Sequence, residues 1–166
     1  EAKSAEFEIT PDATLLKQRF AQATSDDVKA LILFALARGG EAPYGYVHRL
    51  WRTSETLSPR ALACVALALH AAKKSDETKA AVERRVKLVK DDPVVVFAIA
   101  EIDPTNAILP QARAGLLAKW PATPFDRAMV ALAMQSTPDK SAVTAVKVEA
   151  GEKVVAEPPG EGTYYL

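Results

Sequence analysis

The chain has 166 residues, with 21 basic and 21 acidic side chains, so its formal net charge is zero. Because the charges also balance within each half, the composition argues against a nucleic-acid-binding surface and against a polybasic membrane patch. The longest apolar run, residues 61–69, is too short to cross a membrane. Cys64 is the only cysteine, which excludes an internal disulfide.

The first predicted element is a short strand or arm over residues 1–11, where polar and apolar side chains alternate from Glu6 to Ile9. Residues 12–138 follow with helical periodicity, and we expect a helical-repeat domain of about four helix pairs there. One helix of each pair has a single apolar stripe and is expected on the outside. The first of these helices covers about residues 12–23, and the later stripes are Tyr44, Val47, Leu50 and Trp51; Val82, Val86 and Val89; and Ala112, Leu116 and Trp120.

The other helix of each pair contains an alanine-rich core that recurs every 31–33 residues. Its four copies lie at 34–37, 65–68, 97–100 and 130–133. Because these helices are apolar on nearly every face, they should be buried on all sides. Alanine also lets helix backbones approach closely while still favouring the helix. We therefore predict an inner layer of four helices.

Each inner helix is preceded by a helix-start pattern: Ser25-Asp26-Asp27, Ser58-Pro59, Asp92-Pro93 and Thr123-Pro124. Ser, Asp and Thr side chains can accept hydrogen bonds from the free backbone N–H groups of a first turn, where proline is tolerated. Gly39-Gly40 predicts the C-terminal cap of the first inner helix.

Residues 139–166 are expected to form a β-strand tail. Val146 and Val148 belong to one short β-branched run, and Val154 and Val155 belong to the next. Since a two-stranded ribbon is marginal alone, we expect this tail to pair either with the N-terminal strand or with a neighbouring domain. We favour the second pairing, in which the tail is the start of a neighbouring β domain. Neither end of the chain has the features of a native terminus, which favours a longer parent protein.

Three of the predicted inner helices resemble those of bacterial alpha-2-macroglobulin thioester domains. Residues 27–40 resemble the alternating Ala/Leu helix and terminal glycine of that family, and residues 57–70 resemble the next inner helix. Residues 123–132 resemble the last inner helix, after which those proteins leave the ring for β-strands. The resemblance implies a partial α/α toroid with the terpenoid cyclase/prenyltransferase-like fold. It also implies an extracytoplasmic parent that takes part in protease trapping or protein capture.

The chemistry of that family depends on a Cys-Gly-Glu-Gln thioester motif, whereas Cys64 is followed here by Val65 and Ala66. We therefore expect a non-enzymatic structural and protein-interaction fragment of a larger alpha-macroglobulin-like protein. Its expected partners are the other domains of the parent chain, together with proteases or other proteins. The alternative is a helical-repeat solenoid that binds a peptide, and the second alternative is a degenerate prenyltransferase or cyclase-like enzyme.

No residue is assigned to a catalytic, cofactor-binding or metal site, and no cofactor is expected. Cys64 lies in a fully apolar helix, so we expect a buried structural cysteine rather than a reactive thiol. The only histidines, His48 and His70, cannot form a sequence-local zinc site with one cysteine. His48 is expected at the edge of an outer stripe, and His70 at the end of an inner helix.

The charged pairs and runs also have structural interpretations. Asp26-Asp27 and Asp91-Asp92 precede inner helices, where aspartate caps N–H groups and meets the positive end of the helix dipole. The basic run over residues 84–90 is expected to be a solvated outer face. Aromatic residues make up only 7% of the chain, which argues against the carbocation-stabilising pocket of a cyclase.

Overall fold

The computed structural model describes residues 12–41, 43–84, 86, 89–119 and 121–135. Regular structure within these ranges is helical, which confirms the predicted mainly helical class for this part of the chain. The helices are α1 (Ala13–Gln22), α2 (Asp26–Arg38), α3 (Tyr44–Arg52), α4 (Pro59–Ala71), α5 (Ser75–Arg84), α6 (Pro93–Ile102), α7 (Leu109–Ala118) and α8 (Pro124–Gln135). The strands predicted within residues 1–11 and 139–166 lie outside the described residues.

These helices pack in two layers. The inner helices α2, α4, α6 and α8 form a series in which each contacts the next, and α1, α3, α5 and α7 pack against them from outside. An ion pair joins the first turns of α4 and α8, and another joins the last turns of α2 and α6. The inner helices therefore run parallel, with their N-terminal ends on the same side.

Helix α4 is enclosed on every side. Its residues 61–69 are all buried, with α2 and α6 on its flanks and α3 and α5 on its outer side. The rings of Phe34 in α2 and Phe97 in α6 are buried and meet with their centroids 6.3 Å apart. This contact joins the first and third inner helices, so α2, α4 and α6 share one core.

The first and last inner helices depart from the prediction that all four are buried on all sides. Val28 of α2 is 44% exposed and Leu31 is half-buried, and in α8 Ala131 and Leu132 are half-buried. Helices α2 and α8 stand at the ends of the series, so each has a neighbour in the series on one flank only. The prediction holds for the central helices α4 and α6, in which residues 61–69 and 93–100 are all buried.

Three of the four predicted helix starts are capped as expected. The side chains of Ser58, Asp92 and Thr123 each accept a hydrogen bond from a backbone N–H two or three residues later, at 2.9–3.3 Å. The capping prediction is wrong for Asp26 and Asp27, because both lie inside the first turn of α2. They do lie at the positive end of that helix dipole, as expected.

Helices α2 and α4 end in the same type of C-terminal cap. In both, the second residue after the cap donates its N–H back to a carbonyl in the last turn, at 3.0 Å. The predicted Gly39-Gly40 cap is confirmed, with Gly40 at φ +82°. In α4 the equivalent position is Lys73, at φ +58°. A side chain in this left-handed region costs about 1–2 kcal/mol relative to glycine.

Helix α5 is shorter than its predicted stripe. Val82 is buried in the helix, but α5 ends at Arg84, and Val86 is buried in a short turn beyond it. The next helix, α6, begins at Pro93 after its N-cap residue Asp92. The valines after Arg84 therefore belong to the connection. In the next stripe, Ala112 and Leu116 are buried as predicted, and Trp120 lies outside the described residues.

Candidate functional site

A charged network joins the N-terminal ends of the inner helices. Arg60 in α4 donates from Nε to Asp92 Oδ2 at 2.9 Å, and its Nη1 lies 2.9 Å from Asp126 Oδ1 in α8. The other carboxylate oxygen of Asp92 caps α6. Asp27 of α2 accepts a hydrogen bond of 3.3 Å from the backbone N–H of Ser58. The network thus links the starts of all four inner helices, which gives Asp27 and Asp92 structural roles.

The charge of Arg60 is held firmly in this network. Desolvation alone would lower the pKa of Arg60, but the charges and hydrogen bonds of Asp92 and then Asp126 outweigh it and raise that pKa. A guanidinium that stays protonated offers five donors and no acceptor, so it can position groups but cannot act as a base. The arrangement is suited to holding helices together rather than to transferring protons.

Cys64 is 1% exposed at the centre of α4, which confirms its predicted burial. Burial raises the pKa of its thiol to about 12, although the positive charge of Arg60 opposes the shift. Because the thiolate is the reactive form, a thiol that keeps its proton at neutral pH is a poor nucleophile. His70 is exposed in the last turn of the same helix, where it was predicted.

A polar cluster joins α3 and α5 on the outer surface, and we call it the polar bridge: Tyr44, His48, Lys74 and Glu77. The Tyr44 hydroxyl donates to the Glu77 carboxylate, with oxygen distances of 3.0 and 3.2 Å. His48 Nε2 lies 3.4 Å from Glu77 Oε1, and Lys74 Nζ lies 4.5 Å from the Tyr44 ring centroid. Desolvation, followed by the hydrogen bond and the charge of Glu77, raises the pKa of Tyr44.

The polar bridge contains group types that serve in acid–base catalysis, namely a phenol, an imidazole and a carboxylate. Its setting favours a structural role, because the Tyr44 proton is held more tightly than usual and the cluster fastens two neighbouring outer helices. The depression beside it, of about 320 Å³, is lined by residues 73–77 and is open to solvent. His48, predicted at the edge of an outer stripe, is half-buried at that edge.

A second bridge between the outer helices is made by Arg84, the first residue of the predicted basic face. Its guanidinium carbon lies 4.6 Å from the Trp51 ring centroid, and Nη1 donates to Ser54 Oγ at 2.9 Å. Ser54 is a buried polar residue, so this hydrogen bond satisfies an oxygen that would otherwise be costly to bury. The solvated-face prediction is therefore incomplete for Arg84, which also stacks on an aromatic ring.

The outward side of α3 forms a shallow groove of about 430 Å³. The residues that line this α3 groove are Gly45, His48, Arg49, Arg52 and Thr53. A Cβ atom at Gly45 would meet nothing within 4 Å, so the groove is open at that point. Tyr46 is 51% exposed next to it, and its ring packs edge-on against Phe20 with a centroid distance of 5.1 Å.

The sequence analysis missed both bridges and the network at the helix starts, although a usable signal was present. The bonded partners are separated by 33 residues for Tyr44 and Glu77 and by 32 for Arg60 and Asp92. The separations are 31 residues for the Asp27–Ser58 bond and 30 for the Ser54–Arg84 bond. These values lie close to the repeat length. The repeat length therefore gives the approximate separation of these contacts, although it does not select the bonded pair among the residues near that spacing.

Within the described ranges, no group of three or more His, Cys, Asp or Glu side chains is placed to hold a metal ion. In the same ranges, every helix is too short or too polar to traverse a bilayer. Comparison with known protein families, with curated proteins and with solved structures finds no match to this chain. A functional conclusion must therefore come from the sequence pattern and from the geometry.

Proposed function

We propose that the chain is a non-enzymatic structural and protein-interaction unit of a larger alpha-macroglobulin-like protein, and that its helix pairs form part of an α/α toroid. The filled interior around α4 carries this proposal. Residues 61–69 are buried, and Phe34 of α2 meets Phe97 of α6, so three inner helices share one core. A unit packed in this way is available to other molecules through its outer surface and its ends.

The two alternatives need features that fit the described residues less well. A peptide-binding solenoid needs a free concave groove along its inner helices, whereas the inner helices α2 and α6 contact each other here through the buried rings of Phe34 and Phe97. A cyclase-like enzyme needs a deep apolar pocket with a few convergent polar groups. The depressions beside the polar bridge and along α3 are open to solvent, and charged or other polar side chains predominate among their lining residues.

Surface plasmon resonance with immobilised chain tests the interaction role. Serine proteases with blocked active sites serve as analytes, and a non-protease of similar size and charge is the control. We expect reversible protease binding that the Cys64→Ala variant retains, because a buried thiol of raised pKa cannot form a covalent link to the protease.

Three outcomes would contradict the proposal in different ways. Equal binding of the non-protease control would show that the chain does not bind proteases specifically. Loss of binding in Cys64→Ala would contradict non-covalent binding. Conversion of an isoprenoid diphosphate by the purified chain would favour the enzyme alternative. That assay requires only product analysis by mass spectrometry.

A further inference from the structure

Arg49 and Arg52 differ from the other arginines that the structure describes. The others all have partners: Arg38 and Arg60 pair with carboxylates, Arg84 bonds to Ser54, Arg113 and Arg127 donate to backbone carbonyls, and Arg19 also takes part in an interaction. Among the described residues, no carboxylate or carbonyl pairs with the Arg49 or Arg52 guanidinium. Both side chains are exposed, and both line the α3 groove.

The lining of this groove contains two guanidinium groups and no carboxylate. Residues 43–54 contain no acidic residue. The nearby Glu77 carboxylate is engaged by Tyr44 and His48, and Glu41 is ion-paired with Lys17. Glu55 follows three residues after Arg52 and is exposed, without an ion pair to any described side chain. The α3 groove thus presents the Arg49 and Arg52 guanidinium groups, and neither is ion-paired with a described residue.

The helix dipole accounts for part of this pattern. Arg49 and Arg52 lie in the last turn of α3, where a cation is favoured by about 0.3–1 kcal/mol when exposed. The helix dipole does not explain why the two arginines line a depression, or why the neighbouring position in it, Gly45, has no side chain. Tyr46, exposed on the same helix, adds an aromatic surface, and Tyr and Arg are both enriched where proteins bind one another.

The geometry fits an extended acidic peptide. Each guanidinium presents a planar fork that can bind a carboxylate through two hydrogen bonds. Residues three apart on a helix have Cβ atoms about 5–6 Å apart. In an extended strand, alternate side chains point the same way and lie about 6.5–7 Å apart. Two carboxylates at alternate positions of a strand can therefore each meet one arginine, with the open space above Gly45 left for backbone.

We propose that the α3 groove docks an acidic segment of a partner protein, in which carboxylates at alternate positions of an extended strand pair with Arg49 and Arg52. This inference rests on the proposed interaction role and gives that role a surface and a partner chemistry. It also assigns Gly45 the function of keeping the groove open.

Fluorescence anisotropy with the full chain tests the proposal. The probe is a fluorescein-labelled peptide, Gly-Glu-Ala-Glu-Ala-Glu-Gly, and its matched control has glutamine in place of each glutamate. The groove variant combines Arg49→Gln with Arg52→Gln. The control variant combines Lys79→Gln with Lys119→Gln, which removes the same charge from exposed positions outside the groove. Far-ultraviolet circular dichroism verifies that both variants fold.

We expect the glutamate peptide to bind and the glutamine peptide not to bind. The dissociation constant should rise by about tenfold or more in the groove variant and by less than about twofold in the control variant. Binding should also weaken when NaCl is raised from about 0.05 M to about 0.5 M, because exposed charges are screened. An Ala substitution at Gly45 should weaken binding without changing the charge.

Each of the other outcomes overturns the inference. Absence of binding would show that the groove does not dock an acidic peptide, and equal weakening in both variants would show that the attraction between charges is diffuse. Equally tight binding of a labelled oligothymidylate, with the same dependence on Arg49 and Arg52, would identify a phosphate partner instead. Loss of the peptide interaction while proteases still bind overturns this inference alone, whereas failure of protease binding bears on the proposed function.

Discussion

Leucine should be tolerated very differently at two equivalent alanines of the repeat. Ala66 follows Val65 in α4, and Ala131 follows Val130 in α8, so both occupy the second position of the recurring core. The pattern alone predicts the same cost of substitution at both. In the structure, Ala66 has no accessible surface, whereas Ala131 is half-buried at the end of the inner series.

The expected magnitudes follow from these surroundings. Leucine adds the same carbon atoms at either position and has nearly the helix propensity of alanine, so only packing differs. Around Ala66, neighbouring helices enclose α4 on all sides, and overpacking should cost about 1–3 kcal/mol. At Ala131 the added atoms can turn toward solvent, and we expect a change within about 0.5 kcal/mol.

Urea denaturation followed by far-ultraviolet circular dichroism measures both free energies of unfolding. For a chain of this size, 1 kcal/mol corresponds to a shift of about 2–4 °C in the melting temperature, which provides an independent check. Equal losses for Ala66→Leu and Ala131→Leu, or no loss for Ala66→Leu, would refute the enclosed position of α4.

Three further predictions concern the charged network, the buried thiol and a helix end. Arg60→Met should lower the free energy of unfolding by about 1–2 kcal/mol, because it removes the ion-pair partner of two carboxylates. The control Arg38→Met breaks an exposed ion pair of 3.8 Å and should cost under about 0.5 kcal/mol. Equal costs for the two variants in urea denaturation would contradict this prediction. The pKa of Cys64 is raised from 9.0 to about 12, so between these pH values the thiol ionises in the unfolded chain but not in the folded one. The free energy of unfolding should therefore fall as the pH rises through this range, by at most about 1.4 kcal/mol per pH unit. Cys64→Ala should flatten this slope when denaturation is measured at successive pH values. Lys73→Gly should stabilise the chain by about 1 kcal/mol in thermal unfolding, since it relieves the left-handed conformation, and a loss of stability would count against that φ angle.

The helices could be predicted because short-range chemistry determines where they begin and how they are buried. Ser58, Asp92 and Thr123 cap first turns with bonds that span two or three residues, and proline follows each of them. The start of α2 was misassigned because Ser25, Asp26 and Asp27 are all good capping residues in a row. In the structure Ser25 is the N-cap residue, and both aspartates lie in the first turn.

The bridges between outer helices could not be predicted in the same way. The contacts of Tyr44 with Glu77 and of Arg84 with Trp51 depend on how neighbouring repeats superimpose, which local periodicity does not specify. The same reason explains the exposure of Val28, since an inner helix at the end of the series loses cover that its sequence cannot report. The repeat length predicts to within a few residues how far apart in sequence two contacting side chains lie. It does not determine which of the charged residues near that separation form the contact, because this depends on the relative positions of the helices.

The balanced charge of the chain also means something different once its distribution is known. Asp27, Asp92 and Asp126 are drawn to the N-terminal ends of inner helices, where they meet helix dipoles and Arg60. These three carboxylates are therefore held at the N-terminal ends of the inner helices. The cations that balance these charges, Arg49 and Arg52 among them, remain on the outer surface. A net charge of zero therefore argues against a continuous phosphate-binding surface, yet it is compatible with a small groove whose charge selects an acidic partner.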